Sequence, residues 1–312
     1  MSEKKFALLF PGQGSQYVGM GKELYEEFSE VKNTFKTANE VLGFDLMDVC
    51  FNGPEEELRR TSIAQPAILT LSVGIWKLLP PLKVVYLAGH SLGEYSALVA
   101  GGVITFPEAL MLVRKRGEYM EKMREGSMVA VMRIERGVLE EIIESIGGIC
   151  VIANYNSPQQ LVISGEKEAV EEVAKIAEEK GARCVKLAVS GAFHSPLMKE
   201  ANERFQEELM KVNFRDSSIP IVCNAYAKPL TKAEDIKEAL GVQMVSPVLW
   251  EESVRLMSEG VDCFLEVGPG KVLANLVKRI VPSVEVHNIE NKQGLEELRK
   301  ILSKEEKDYE KI

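Results

Sequence analysis

The stretch KVVYLAGHSLGEYSALVAGG, Lys83–Gly102, joins an apolar run closed by glycine to five residues of the form G-x-S-x-G, Gly89-His90-Ser91-Leu92-Gly93, and then to a second apolar segment. The first part reads as a buried parallel strand, short and apolar throughout, and the last part as a helix. A serine on the sharp turn between them exposes its hydroxyl at the carboxyl end of a sheet. Glycines admit the tight backbone, and the helix N-terminus offers N–H dipoles to developing negative charge. The plainer alternative is a glycine-rich turn in which Ser91 merely caps the helix. The strand before and the helix after it favour the nucleophile.

Two more runs share the character of this strand: FALLF, ending at Phe10, and CFLEVG, starting at Cys263. Helical patterns with apolar residues three and four apart lie between, as in YEEFSEVKNTFKTANEVL and PAILTLSVGIWKLL, and these should cover the sheet faces. From Met128 to Ser190 the order changes to strand, helix, two strands, helix and strand: MVAVMRI, VLEEIIESI, CVIANY, QLVISG, EAVEEVAKIAEEKG and ARCVKLAVS. That is the ferredoxin-like β-α-β-β-α-β order. Asn156, Ser157 and Pro158 supply turn chemistry between its middle strands, and Gly181 ends its second helix. The expected fold is α/β: a hydrolase-like large domain with a parallel sheet, residues 1–127 and 191–312, interrupted by a ferredoxin-like small domain, residues 128–190. A cleft is expected where they meet. The charged tail from Gln293 to Ile312 reads as a solvated surface helix with a frayed end.

The chain has 312 residues, 46% of them hydrophobic, enough for one large core or two smaller ones. Lys and Arg number 38 against 47 Asp and Glu, and the net charge of -9 opposes any sequence-wide attraction to nucleic acid or an anionic membrane. A polyanionic partner would need a local basic patch. Cys50, Cys150, Cys184, Cys223 and Cys263 are scattered, without a CxxC or a close His pair, which argues against zinc; their odd number argues against a disulfide framework. Reduced thiols fit a cytoplasmic protein. No apolar span is long enough for a membrane helix, and the run after Lys4 and Lys5 is too short for a signal peptide.

The loop FPGQGSQYVGMG that follows the first strand looks made for phosphate, but the dinucleotide spacing from Gly12 gives Gly12, Gly14 and then Tyr17, and the P-loop ending is missing. It must serve something else. A serine needs a base, and the chain has 3 histidines. His90 adjoins the serine and should point away from it, while His287 reads as a strand or surface residue. His194, in SGAFHSPLM where the small domain returns to the large one, is the leading candidate, although a single loop histidine is more often only hydrogen-bonded.

In their order, FPGQGSQ, GHSLGE, the RG at Arg116, NYNSP, GAFHSP, Gln243 followed by SPVLW, and VGPGKVL resemble the malonyl-CoA:acyl carrier protein transacylases from about residue 6 to about residue 290. The resemblance implies that Ser91 takes malonyl from malonyl-CoA and passes it to the phosphopantetheine thiol of acyl carrier protein, with His194 as base and the backbone carbonyl of Gln243 orienting the imidazole. A neutral carbonyl suits that place, since a buried anion would repel the malonate carboxylate. Backbone N–H groups of Gln13 and Leu92 would form the oxyanion hole, which gives the glycine-rich loop its task. Arg116 corresponds to the arginine that pairs with the malonyl carboxylate through its planar fork. Arginines on a helix are commonly solvated, Arg114 included; the RG pairing selects Arg116. Phe193 would narrow the space at the substrate α-carbon. Asn156 and Gln243 are further pocket candidates, though amides near turns are often only turn residues.

The family often has PVRW where this chain has Pro247-Val248-Leu249-Trp250. The missing arginine should remove a peripheral contact, leave the mechanism intact and remove support for any docking through that segment. The resemblance further implies a monomer acting in fatty-acid synthesis, with no metal and no cofactor, coenzyme A thioester being a substrate. Lys115, Lys186 and Lys271, which flank the motifs, are candidates for a basic docking patch. A polyketide-pathway acyltransferase, a serine esterase or thioesterase, and a non-enzymatic carrier-binding scaffold are the alternatives.

Overall fold

The computed structural model describes residues 4–189 and 191–309. Its strands are β1 (Lys5–Phe10), β2 (Lys83–Gly89), β3 (Ser127–Met132), β4 (Cys150–Ser157), β5 (Gln160–Gly165), β6 (Arg183–Lys186), β7 (Ile221–Cys223), β8 (Lys228–Leu230), β9 (Cys263–Val267) and β10 (Glu285–Ile289). Six of them make a sheet in the order β10-β9-β1-β2-β7-β8, in which only the β7–β8 pair is antiparallel. FALLF, KVVYLAG and CFLEVG are its centre. Their largely apolar character has a physical reason, because both faces are covered; the buried Glu266 of β9 is the exception, and it accepts from the Leu273 and Ala274 N–H groups. Phe6, Leu8 and Phe10 of β1 pack on one face with the helix Thr61–Trp76, and Ala7 and Leu9 pack on the other with Val254, Met257 and Leu276. At about 1.5–3 kcal/mol per fully buried large apolar side chain, the central strands hold much of the sheet's stability.

The other four strands form an antiparallel sheet in the order β4-β5-β3-β6, with the helices Arg136–Ser145 and Lys167–Glu179 in the expected places between them. Side chains alternate across it. Val129, Val131, Leu161 and Ile163 face those two helices, whereas Met128, Ala130, Ala153 and Val162 join the core of the large sheet. The expected boundary at Ser190 lies outside the described residues. The last strand is shorter than expected, since Leu187, Ala188 and Val189 leave the sheet to line the cleft.

Three local expectations are corrected. The helix expected over 25–42 is two, Lys22–Glu27 and Ser29–Leu42, broken where Phe28 is extended (φ -116°, ψ 125°). The C-terminal helix Lys292–Tyr309 is anchored rather than merely solvated, with Leu295 and Leu298 buried against the core; residues 310–312 of the expected tail lie outside the described residues. Asn156 is no turn residue. It is the buried penultimate residue of β4, and Pro158 and Gln159 make the turn.

Candidate active site

β2 ends at Gly89, and the chain turns at Ser91 (φ 50°) into the helix Gly93–Ala100. A positive φ at a non-glycine residue costs on the order of 1–3 kcal/mol and must be held by its surroundings. Here the holding is tight. A Cβ on Gly93 would overlap the carbonyl of Phe10, and one on Gly12 would overlap that of His90, so the loop after β1 lies directly against the elbow. Asn224, just beyond β7, accepts from the Ser91 N–H (2.6 Å) and donates to the Gly89 carbonyl (2.7 Å), clamping the turn from the other side.

His194, also at positive φ (58°), puts Nε2 2.8 Å from Ser91 Oγ. Its Nδ1 faces two carbonyl oxygens, of Gln243 (3.0 Å) and Ser246 (3.1 Å). Carbonyls only accept, so Nδ1 carries the proton and Nε2 is left to accept from the serine hydroxyl. Burial and the neighbouring Arg116 cation hold the imidazole down to about 3, so it is neutral in the folded chain.

Arg116, on the helix Phe106–Lys122, is buried with its guanidinium at the same serine: Nη2 donates to Ser91 Oγ (3.0 Å) and to Gln243 Oε1 (3.0 Å), and Nη1 to Gln65 Oε1 (3.0 Å). Arg114 is half-buried and donates to Glu118 (2.7 Å) and to the Ser62 carbonyl (2.9 Å), a supporting arginine away from the hydroxyl. Beside this cation is a buried carboxylate that sequence reasoning did not foresee. Glu94 accepts from Gln243 Nε2 (2.7 Å) and from the Asn224 N–H (3.2 Å), and burial pushes it up to about 7. Glu94 is not the partner of His194, whose Nδ1 meets the Gln243 carbonyl; it is set behind the Gln243 side-chain amide.

A cleft of about 510 Å³ opens over the serine, within the range that suits a small ligand. Its walls come from both sheets and include Gln13, Ser91, Arg116, Asn156, Phe193 and His194. Ser15 Oγ donates to the Gly12 carbonyl (2.7 Å), the Gln13 side chain donates to Thr61 Oγ1 (3.1 Å), and Leu92 caps the elbow helix. His90 points away from the hydroxyl as expected, with Nε2 2.8 Å from Asn156 Oδ1 and its ring against Trp250. Lys115, Lys186 and Lys271 each lie within ion-pair distance of a carboxylate, on Glu118, Glu171 and Glu290, and so form no unneutralised patch of their own.

Of the residues that complete the site, Asn224, Gln65 and Glu94 have no sequence signal beyond the place of Glu94 in GHSLGE. Another proximity was equally invisible. Cys263, which has no close His pair in the sequence, has its sulfur within 4.8 Å of Glu285 and His287 ligand atoms, because β9 and β10 run side by side. That cluster is at the opposite end of the sheet from Ser91, and its glutamate already pairs with Lys4 and His287.

Fold and site together define a class: an α/β protein of hydrolase-like architecture whose elbow serine meets a neutral histidine and a buried arginine. The chain belongs to the acyl transferase family, whose domain model matches residues 7–306. It is 45% identical over 286 residues to the malonyl CoA-acyl carrier protein transacylase of Bacillus subtilis (strain 168), covering 88% of this chain and 90% of that protein. The solved transacylase of Clostridium perfringens is 40% identical with a TM-score of 0.93, covering 98% of this chain and 99% of that one. A malonyl-transacylase solved in complex with a type II PKS acyl-carrier protein is 40% identical with a TM-score of 0.91, covering 93% and 97%.

Proposed function

We propose that this protein transfers malonyl from malonyl-CoA to the phosphopantetheine thiol of acyl carrier protein in fatty-acid synthesis, through a malonyl ester on Ser91. One observation carries the reading: Ser91 Oγ meets His194 Nε2 at 2.8 Å and Arg116 Nη2 at 3.0 Å. A base and a carboxylate receptor thus converge on one nucleophile. A serine esterase needs only the first.

In the forward half-reaction the hydroxyl proton passes to His194 Nε2 as Oγ bonds to the thioester carbon. The oxyanion is received by the Gln13 and Leu92 N–H groups, each worth about 3–4 kcal/mol in comparable sites. Collapse breaks the C–S bond, and the imidazolium returns its proton to the departing coenzyme A thiolate. The carrier thiol reverses these steps. Arg116 takes the free carboxylate of the malonyl group, and Phe193 and Asn156 shape the wall beside it. The side chains present supply nucleophile, base and substrate recognition without metal or organic cofactor, coenzyme A entering as part of the substrate.

Intact mass after brief mixing with malonyl-CoA is expected to show one added malonyl group, absent in Ser91→Ala. Arg116→Ala is expected to lower malonyl uptake about 10²- to 10³-fold, since truncating one partner of a desolvated ion pair strands the other. Acetyl uptake should change little. A malonyl adduct persisting in Ser91→Ala, or an equal loss of both acyl groups in folded Arg116→Ala, would refute the assignment.

A further inference from the structure

Arg116 is a buried cation without a carboxylate in contact among the described residues; it donates to two side-chain amides and the Ser91 hydroxyl and stands 5.7 Å from the Tyr95 ring centre. Its counter-charge stands one residue further back. Gln243 lies between, with Oε1 accepting from Arg116 Nη2 at 3.0 Å and Nε2 donating to Glu94 at 2.7 Å and to the Ser91 carbonyl at 3.1 Å. The two ends of an amide are chemical opposites, and an arginine can only donate. Which end meets Arg116 therefore decides whether the guanidinium is held beside Ser91 or pushed from it. The Glu94 oxygen that meets Gln243, Oε2, also accepts from the Asn224 N–H (3.2 Å), and the Ser91 carbonyl can only accept, so an inverted amide would set oxygen against oxygen at hydrogen-bond distance.

We propose that Glu94 is a positioning residue for substrate discrimination: by accepting from the Gln243 amide it fixes the end presented to Arg116, and so aims the guanidinium at an acyl group that ends in a carboxylate. The inference rests on the acyl-transfer reading above. The amide relay has a second consequence. When ionised, Glu94 lends Arg116 a balancing charge without occupying it, so an incoming carboxylate need not displace a resident one. Direct contact would have cost the site its vacancy for substrate. Burial supports the arrangement, because Glu94, Gln243 and Arg116 are all shielded from water, where misplaced polar atoms are expensive.

The test is single-turnover acylation of the whole chain by malonyl-CoA and by acetyl-CoA. Glu94→Met removes the acceptor and is expected to lower the malonyl-to-acetyl ratio of kcat/KM about tenfold or more, the scale of a lost hydrogen bond to a charged group. Glu94→Gln keeps an acceptor oxygen in place and is expected to recover most of the malonyl preference. Gln243→Met, which spares the backbone carbonyl used by His194, should lower the malonyl-to-acetyl ratio as Glu94→Met does, and adding Glu94→Met to it should lower the ratio no further. An unchanged ratio in Gln243→Met overturns the proposal even where Glu94→Met fails to fold. So does a parallel fall of both substrates, or a further fall in the double variant. A wild-type chain that acquires no malonyl overturns the acyl-transfer reading and this inference together; a wild type that acquires it, with an unmoved ratio in the variants, overturns the inference alone.

Discussion

His194 is held uncharged by burial first and by the Arg116 cation second. A malonyl carboxylate paired with Arg116 cancels that second cause, so the base strengthens when the substrate it serves is in place. The same two residues set an acid response whose sign follows from linkage. His194 falls from 6.5 to about 3 on folding, so across that window the unfolded chain holds a proton that the folded chain lacks. Stability then drops as pH falls, by about 1.4 kcal/mol per pH unit. Glu94 acts oppositely: raised from 4.5 to about 7, it binds its proton earlier in the folded chain, and stability rises as pH falls between those values. The two cancel between 6.5 and 4.5, and below 4.5 His194 acts alone. His194→Gln should therefore gain stability relative to wild type progressively as pH is lowered from 6.5, measured by urea midpoints. Equal acid slopes in the two proteins would mean that the imidazole is solvated in the folded chain.

The elbow works as an element only because the loop after β1 touches it. Gly12 has no room for a Cβ against the His90 carbonyl, so Gly12→Ala must push the loop, and Gln13 with it, away from Ser91. Oxyanion donors serve every thioester alike. Acylation by malonyl-CoA and acetyl-CoA should then fall together, by about tenfold or more, with their ratio preserved; a shift in the ratio would show that this loop recognises the acyl group instead. At this scale the sequence was informative where structure is local. β1, β2 and β9 could be read because strands covered on both faces are mostly apolar, Glu266 of β9 being the exception, and Ser91 because the strand, turn and helix are contiguous. The short β7 and β8, at 3 residues each, carry too little pattern to read. Asn156 looked like a turn residue because its type prefers turns, and the pairing of β4 with β5 and the contact with His90 override that preference. Asn224 and Glu94 act on residues distant in sequence or through a side-chain amide, and nothing in their neighbourhood announces it. Gln243 was placed through resemblance alone. Leu249 joins the site through its backbone, its N–H bonded to the Asn224 carbonyl (3.0 Å), a contact that any non-proline residue at this position would leave available.

Across the whole molecule, the question is whether the two sheets behave as one body, since the cleft has walls from both. The small sheet has a core of its own around Val131, Leu139, Ile163 and Val173, which favours independence. Against it stand Met128, Ala130, Ala153 and Val162, buried in the large core, and a backbone bridge in which Val248 donates to Ala153 (2.8 Å) and accepts from Tyr155 (2.9 Å). Exposing those side chains and breaking the bridge would cost on the order of 5 kcal/mol, comparable with the 5–15 kcal/mol total of a typical domain. The bridge also fixes the segment whose Gln243 and Ser246 carbonyls hold His194, so detachment would dismantle the base as well. The two sheets should therefore unfold together. The chain's two tryptophans, Trp76 and Trp250, both pack on the cores of the large sheet and report on it; Cys150 reports on the small one, its thiol pushed up to about 12 by burial and unreactive while folded. Along a urea series, the midpoint for trapping Cys150 with a thiol reagent, located by peptide mass, should coincide with the loss of native tryptophan emission. Trapping of Cys150 while that emission is still native would mean that the small sheet leaves first, and the cleft would then be a hinge rather than a fixed wall.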